Sequence, residues 1–243
     1  MLTLIDLKKN LKKDLTDLPK LKVALLGDTA TQLLATAIKG MGVVKGYNIN
    51  LFEADYNQIE RQFMDPTSEL YEFDANIIVV FHSTHKLCEY HSQLSMEKQQ
   101  TLADERLGFV ASICEKTTLS KKKIIYFNYP EIGDSVFGSY ANKVESSFTY
   151  QVRKLNYELM RLSEHYPNLF ICDIAELQNK FGRDKMFSTG IYTNTEMVLS
   201  MEVIPYVASR IMDIVCAIKG QFKKCLILDL DNTVWGGVIG DDG

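Results

Sequence analysis

Apolar residues run along this chain in two rhythms: short unbroken runs, and longer stretches in which they return every three or four positions. The runs KVALLGDT (22–29), YNINLFEAD (47–55), ANIIVVFHS (75–83), KKIIYFNYP (122–130) and NLFICDIAE (168–176) predict buried strands. ANIIVVFHS is continuous enough for a strand covered on both faces. The helical rhythm appears in ATQLLATAIKG (30–40), which sets Leu33, Leu34, Ala37 and Ile38 on one face and takes Gly40 as its stop. MEKQQTLADERLGFVASICEK (96–116) holds Leu107, Val110 and Cys114 in register. SSFTYQVRKLNYELMRLSEHY (146–166) carries a stripe of Phe148, Val152, Leu155, Leu159 and Leu162. EMVLSMEVIPYVASRIMDIVCAIKG (196–220) predicts a long helix, bent or begun at Pro205 and closed by Gly220.

Strands alternating with helices imply parallel pairing through right-handed crossovers. The expected fold is α/β, a three-layer α/β/α domain with a mostly parallel sheet whose strand order the pattern does not set. Residues 1–20 are expected as an N-terminal amphipathic helix, since Leu4, Leu7, Leu11, Leu15 and Leu18 recur at helical steps. Lys8, Lys9, Lys12 and Lys13 give that helix a basic face. Docking on the chain's own core is the favoured reading, with a membrane surface as the alternative. The α/β domain is expected over 21–220, with a boundary at KGQFKK (219–224). Residues 221–243 then open a second domain, with KKCLILDLDN (223–232) as its first strand.

Composition narrows the class. The 243 residues are 46% hydrophobic, enough for a sizeable core, and the formal net charge of −4 offers no basic stripe for nucleic acid. No stretch reaches the ~18 apolar residues of a membrane span, and the N-terminus lacks the apolar core of a secretory signal. The five cysteines, Cys88, Cys114, Cys172, Cys216 and Cys225, are odd in number and scattered, as in a reduced, cytoplasmic protein.

The most pointed chemistry lies in CLILDLDNTVWGG, which begins at Cys225. Asp229 and Asp231 leave the end of an apolar strand, where parallel sheets place ligands. Two carboxylates so close repel, and a cation such as Mg2+ relieves that repulsion. One can attack phosphorus while the other protonates the leaving oxygen and later activates water. The Thr233 hydroxyl can hold a phosphate oxygen. A strand ending in a polar turn is the plainer reading, because DN and GG are turn formers.

The full string, four apolar residues and then D-x-D-x-T, resembles motif I of the haloacid dehalogenase (HAD) superfamily of phosphotransferases. LDLDNTVWGGVIGDDG is similar to the FkbH-like family (subfamily IIIC type), whose HAD domains carry a D-L-D-N-T-L-W-G-G-type signature. The resemblance implies an SGNH-hydrolase-like domain, three-layered and flavodoxin-like, followed by a HAD-like Rossmannoid domain of which only the first strand is present. It implies Asp229 as nucleophile and Mg2+ ligand, Asp231 as general acid/base and second metal residue, and Thr233 as phosphate ligand. It further implies a phosphorylated small molecule as substrate, with a glyceryl unit moved from a phosphorylated three-carbon donor to an acyl carrier protein. A HAD enzyme needs a downstream Ser/Thr, a Lys and further acidic residues. The chain is therefore expected to be the front part of a longer enzyme and to lack phosphatase activity by itself.

The first domain offers a second candidate site. LLGDTATQLL sets Gly27, Asp28 and Thr29 at a strand-to-helix turn, where SGNH hydrolases carry a G-D-S block. Here Thr29 stands at the nucleophile position; capping of the following helix by Asp28 or Thr29, or ligand binding, is favoured over catalysis. The D-x-x-H block of those enzymes has no counterpart, since STGIYTNTEMVLS lacks a histidine. Asn128 is a loose stand-in for their oxyanion-hole Asn, and His82 and Ser83 sit where a third block lines the same pocket. A binding domain that docks a carrier protein, an acyl group or the HAD domain therefore fits better than an esterase. In HSTHKLCEYH, His82, His85, Cys88 and His91 are zinc-capable, but three-residue spacing drifts around a helix, so the segment reads as a polar post-strand loop.

Overall fold

The computed structural model describes residues 2–133, 136–187 and 189–221. Strands β1 (Lys20–Gly27), β2 (Asn48–Glu53), β3 (Ile77–Phe81), β4 (Lys123–Phe127) and β5 (Leu169–Cys172) form one sheet in the order β2-β1-β3-β4-β5, every pairing parallel. That order is the doubly wound one, with a switch point between β1 and β3.

The sheet separates two cores by the period-two alternation of its side chains. Val23, Leu25, Ile77, Val79, Phe81, Ile125 and Phe127 face helices Gln32–Val44, Ile174–Phe181 and Ile204–Ile218. Ala24, Leu26, Ile78, Val80, Ile124 and Tyr126 face helices Ile59–Met64, Leu102–Thr118 and Phe148–His165. Every residue of β3 is buried, as its unbroken apolar run requires. Cys114, Cys172 and Cys216 are buried thiols, and the described residues contain no disulfide. No described helix is long and apolar enough to cross a membrane.

Four expectations change. The N-terminal helix spans only Leu4–Asn10, started by a capping box between Thr3 and Asp6, and its Leu7 is fully buried. Gly40 does not end its helix, which continues to Val44 and stops before Gly46 at φ +81°. Gly40 instead admits the N-terminal helix: a Cβ there would lie 2.4 Å from the Leu7 carbonyl oxygen. The last helix begins at Ile204, with Pro205 in its first turn, so 196–203 is not helical. HSTHKLCEYH is not a loop, because Thr84–Gln93 forms a helix capped by the Ser83 hydroxyl, which accepts from the Lys86 N–H. The expected strand 223–232 lies outside the described residues.

Candidate functional site

The carboxyl ends of β1 and β3 lie side by side at the switch point and deliver Asp28 and His82–Ser83 to one edge of the sheet. Gly27 permits the sharp exit from β1, since a Cβ there would sit 2.5 Å from Thr31 Cγ2. Its carbonyl accepts the Asn57 N–H at 3.2 Å. A cleft of about 460 Å³ opens here, with Asp28, Ser83 and His82 on its inner wall and Glu60, Lys86 and Arg106 around them.

Asp28 is buried, and both of its carboxylate oxygens accept from the Ser83 N–H at 2.9 Å. It therefore serves the start of helix Thr84–Gln93, not that of helix Gln32–Val44. The latter begins after Thr31 without a side-chain cap, and the Thr31 hydroxyl donates to Glu53. Neither Asp28 nor Thr29 caps the helix that follows them. Burial pushes the Asp28 carboxyl up to about 7, against the opposing pull of the Ser83 N–H and the charges of Arg106 and Lys86.

His82 is fixed by its neighbours. Arg106 Nη1 lies 2.9 Å from His82 Nε2, and a guanidinium can only donate. Nε2 is thus the acceptor, and the proton sits on Nδ1, which donates to Tyr126 Oη at 2.9 Å. Tyr126 Oη in turn hydrogen-bonds Tyr129 Oη at 2.7 Å. Burial, reinforced by the Arg106 charge, holds the imidazole down to about 4, so it is neutral at physiological pH. Both ring nitrogens are engaged away from Thr29, and no nucleophile–base pair forms.

Thr29 is fully buried, and its Oγ1 has no hydrogen-bond partner. The segment that would carry the missing histidine block is tied to the turn at the next residue. Glu196 accepts the Ala30 N–H at 3.1 Å, Tyr192 donates to Glu89 at 2.6 Å, and Lys86 stands 2.9 Å from Glu196. Asn128 belongs elsewhere. Its Oδ1 accepts from the Ile174 and Ala175 N–H groups and its Nδ2 donates to Asp173, so it caps helix Ile174–Phe181 and does not line the cleft. The four zinc-capable residues also diverge. His91 Nε2 meets the Ser146 carbonyl at 2.8 Å, and His85 packs on Phe187 and Tyr192. Among the described residues no group of three or more His, Cys, Asp or Glu could hold a metal. Asp229, Asp231 and Thr233 lie outside the described residues.

Of the residues singled out from sequence, Asp28, His82 and Ser83 meet in the cleft, Gly27 supports it, Thr29 lies sealed beside it, and Asn128 is absent from it. Sequence reasoning missed Glu60, Lys86, Arg106 and Tyr126. A signal existed for Arg106, which falls three residues after Ala103 and four before Val110, placing a charge inside an apolar stripe.

The model of the FkbH N-terminal domain matches residues 22–216. Among solved structures, the N-terminal part of protein BF1531 from Bacteroides fragilis, described as containing a phosphatase domain complexed with Mg, superposes with a TM-score of 0.94. It is 58% identical over 100% of this chain, which spans 64% of that protein's length. An acetyl xylan esterase superposes with a TM-score of 0.55 at 17% identity, covering 80% of this chain and 100% of the esterase. A GDSL-like lipase from Bacteroides thetaiotaomicron gives 0.52 at 12% identity, covering 83% and 89%. These last two share the fold. No functionally curated protein matches the chain. Its SGNH-like α/β architecture and the family match over most of its length lead to one conclusion: the chain belongs to the FkbH N-terminal domain family.

Proposed function

We propose that this chain is the front part of a magnesium-dependent phosphatase or phosphotransferase of the HAD type, and that its first domain is a non-catalytic binding module. The observation that carries the enzymatic half is the 58% identity, across the whole chain, to part of a protein with a phosphatase domain in complex with Mg. The terminal D-L-D-N-T string agrees with it, Asp229 acting as nucleophile and metal ligand, Asp231 as acid/base and Thr233 as phosphate ligand. The family resemblance extends the reading to a phosphorylated three-carbon acid and a glyceryl unit passed to an acyl carrier protein in the cytoplasm. In the full-length protein, Asp229→Asn is expected to reduce phosphate release from a phosphorylated three-carbon acid by about a thousandfold or more. Unchanged turnover would refute the assignment.

The binding-module half rests on Thr29, which is buried without a base beside it. The fold of an ester hydrolase is kept while its constellation is not assembled. Pull-down of a carrier protein by the full-length protein, retained in Thr29→Ala, is the expected result.

A further inference from the structure

A second hollow, of about 510 Å³, shares no residue with the cleft. Leu2, Leu4 and Ile5 line it from the start of the N-terminal helix. Phe181, Met201 and Tyr206 line it from the end of helix Ile174–Phe181 and the beginning of helix Ile204–Ile218. The N-terminal helix docks on the core through Leu7, which is fully buried against Gly40. Ile5 lies two positions earlier, about 200° round the helix axis, and so cannot serve the same contact. It is 66% exposed; Met201 is 53% exposed and Leu2 37%. Single exposed apolar residues need no explanation, but these converge on one groove.

The charges beside that groove are lopsided. Residues 2–13 hold Lys8, Lys9, Lys12 and Lys13 against Asp6 alone, in a chain whose net charge is −4. Lys12 and Lys13 follow the N-terminal helix directly, in a turn closed by their N–H groups on the Lys9 and Asn10 carbonyls, so they stay beside it. Lys9 reaches Asp6 at 3.7 Å, whereas Lys8, Lys12 and Lys13 form no salt bridge among the described residues. Asp14, next along the chain, is committed to the Thr16 N–H and hydroxyl. The other wall adds Lys180, whose ammonium lies 5.0 Å from the Tyr206 ring centroid and 5.6 Å from that of Phe181. Glu176, one turn before Lys180, is taken by Arg210. Glu202 is the one carboxylate in the lining.

We infer that this groove docks an acidic amphipathic helix of a partner protein. The helix seats its apolar stripe between the two walls and sets the carboxylates that flank the stripe against Lys8, Lys12, Lys13 and Lys180. An apolar groove supplies the affinity, and the unpaired lysines select an acidic helix over a basic one. An anionic bilayer offers the same two chemistries, but it receives a protruding apolar face. Here the apolar side chains line a hollow between separate elements, the shape that accepts a ridge of side chains from a helix. The groove adds a surface and a partner class to the binding-module reading, and the two fail separately. That reading falls if no carrier protein is captured; the docking surface falls if binding ignores the groove.

The test uses full-length protein and a fluorescein-labelled amphipathic peptide of about 20 residues, long enough to be helical in isolation. Its apolar stripe is Leu and its polar face Glu, and the same peptide with Lys for Glu is the charge control. Fluorescence anisotropy should show the Glu peptide binding and the Lys peptide not. Ile5→Glu and Met201→Glu should each weaken binding by about tenfold or more. Both positions are more than half exposed, so the fold tolerates the change, and an unshifted unfolding transition checks it. Lys8→Glu combined with Lys12→Glu should weaken binding by about fivefold and flatten its dependence on salt. Vesicles of phosphatidylserine and phosphatidylcholine supply the lipid arm. Binding to vesicles that is lost in Ile5→Glu, with no binding of the Glu peptide, would assign the groove to a membrane and overturn the inference. Equal affinity for the two peptides, or an affinity unmoved in both Ile5→Glu and Met201→Glu, would overturn it as well.

Discussion

Two regions meet at the carboxyl edge of β1. At Thr29 the turn is buried and tied through the Ala30 N–H to the Glu196 carbonyl, and a hydroxyl is left without a partner. At Ser83, Lys86 and Arg106 the edge opens as a cleft whose recessed cations are paired with carboxylates that are about half exposed. The first region occupies the place where hydrolases of this fold do their chemistry, and here it is packed shut. The second is where the chain keeps accessible, exchangeable groups. Position in the fold therefore says where chemistry could be placed, while burial and partners decide whether it is.

The buried pair joining these regions gives the largest expected effect. Asp28 titrates higher folded than unfolded, raised to about 7 from 3.8 by burial, so its contribution is complete below the unfolded value and lost as pH rises towards 7. His82 shifts the other way, lowered to about 4 from 6.5, so its contribution is present above 6.5 and lost as pH falls through 4. Between pH 4 and 6.5 the two oppose each other, and the parent should show a shallow stability profile. Asp28→Asn keeps an acceptor for the Ser83 N–H and removes one side of this balance. Urea unfolding should then show stability rising with pH across that window by up to about 3 kcal/mol. A flat profile in the variant would break the contrast.

Arg106 tests the open side. Arg106→Met keeps the stem that packs in the apolar stripe but leaves His82 Nε2 without its donor, at an expected cost of about 2 kcal/mol in urea unfolding. His82 should then titrate closer to its ordinary value, because the guanidinium charge contributes to its depression. An imidazole resonance that titrates unchanged in the variant would show that burial alone sets the value.

The architecture was legible because each of the five apolar runs within the described residues is a strand: 75–83 predicts β3, and the helical stripe at Phe148–Leu162 buries Phe148, Val152, Leu155 and Leu159 as its spacing requires. Strand order was not legible, because no pattern within a strand names its neighbours. Gly40 misled for a physical reason: a glycine in a helix signals either a stop or a close approach, and only the packing of Leu7 distinguishes them. In the site, Asp28, His82 and Ser83 were legible as strand-end residues. Lys86 was not, because a lone charge on a helix reads as a solvated face until the partner element is known, whereas Arg106 left a signal in its place inside an apolar stripe. The tie from Ala30, beside Thr29, to Glu196 spans about 165 positions in sequence, a contact that no local pattern encodes.

The smallest effect bears most directly on the sealed region. Thr29→Val replaces a hydroxyl by a methyl group of nearly the same volume at a fully buried position. If Oγ1 has no partner, the substitution removes a desolvated polar atom and should stabilise the domain by about 1 kcal/mol, raising Tm by about 2–4 °C. A destabilised variant would mean that the hydroxyl is hydrogen-bonded in solution, and that the contrast between a sealed turn and an open cleft is smaller than the burial of Thr29 suggests.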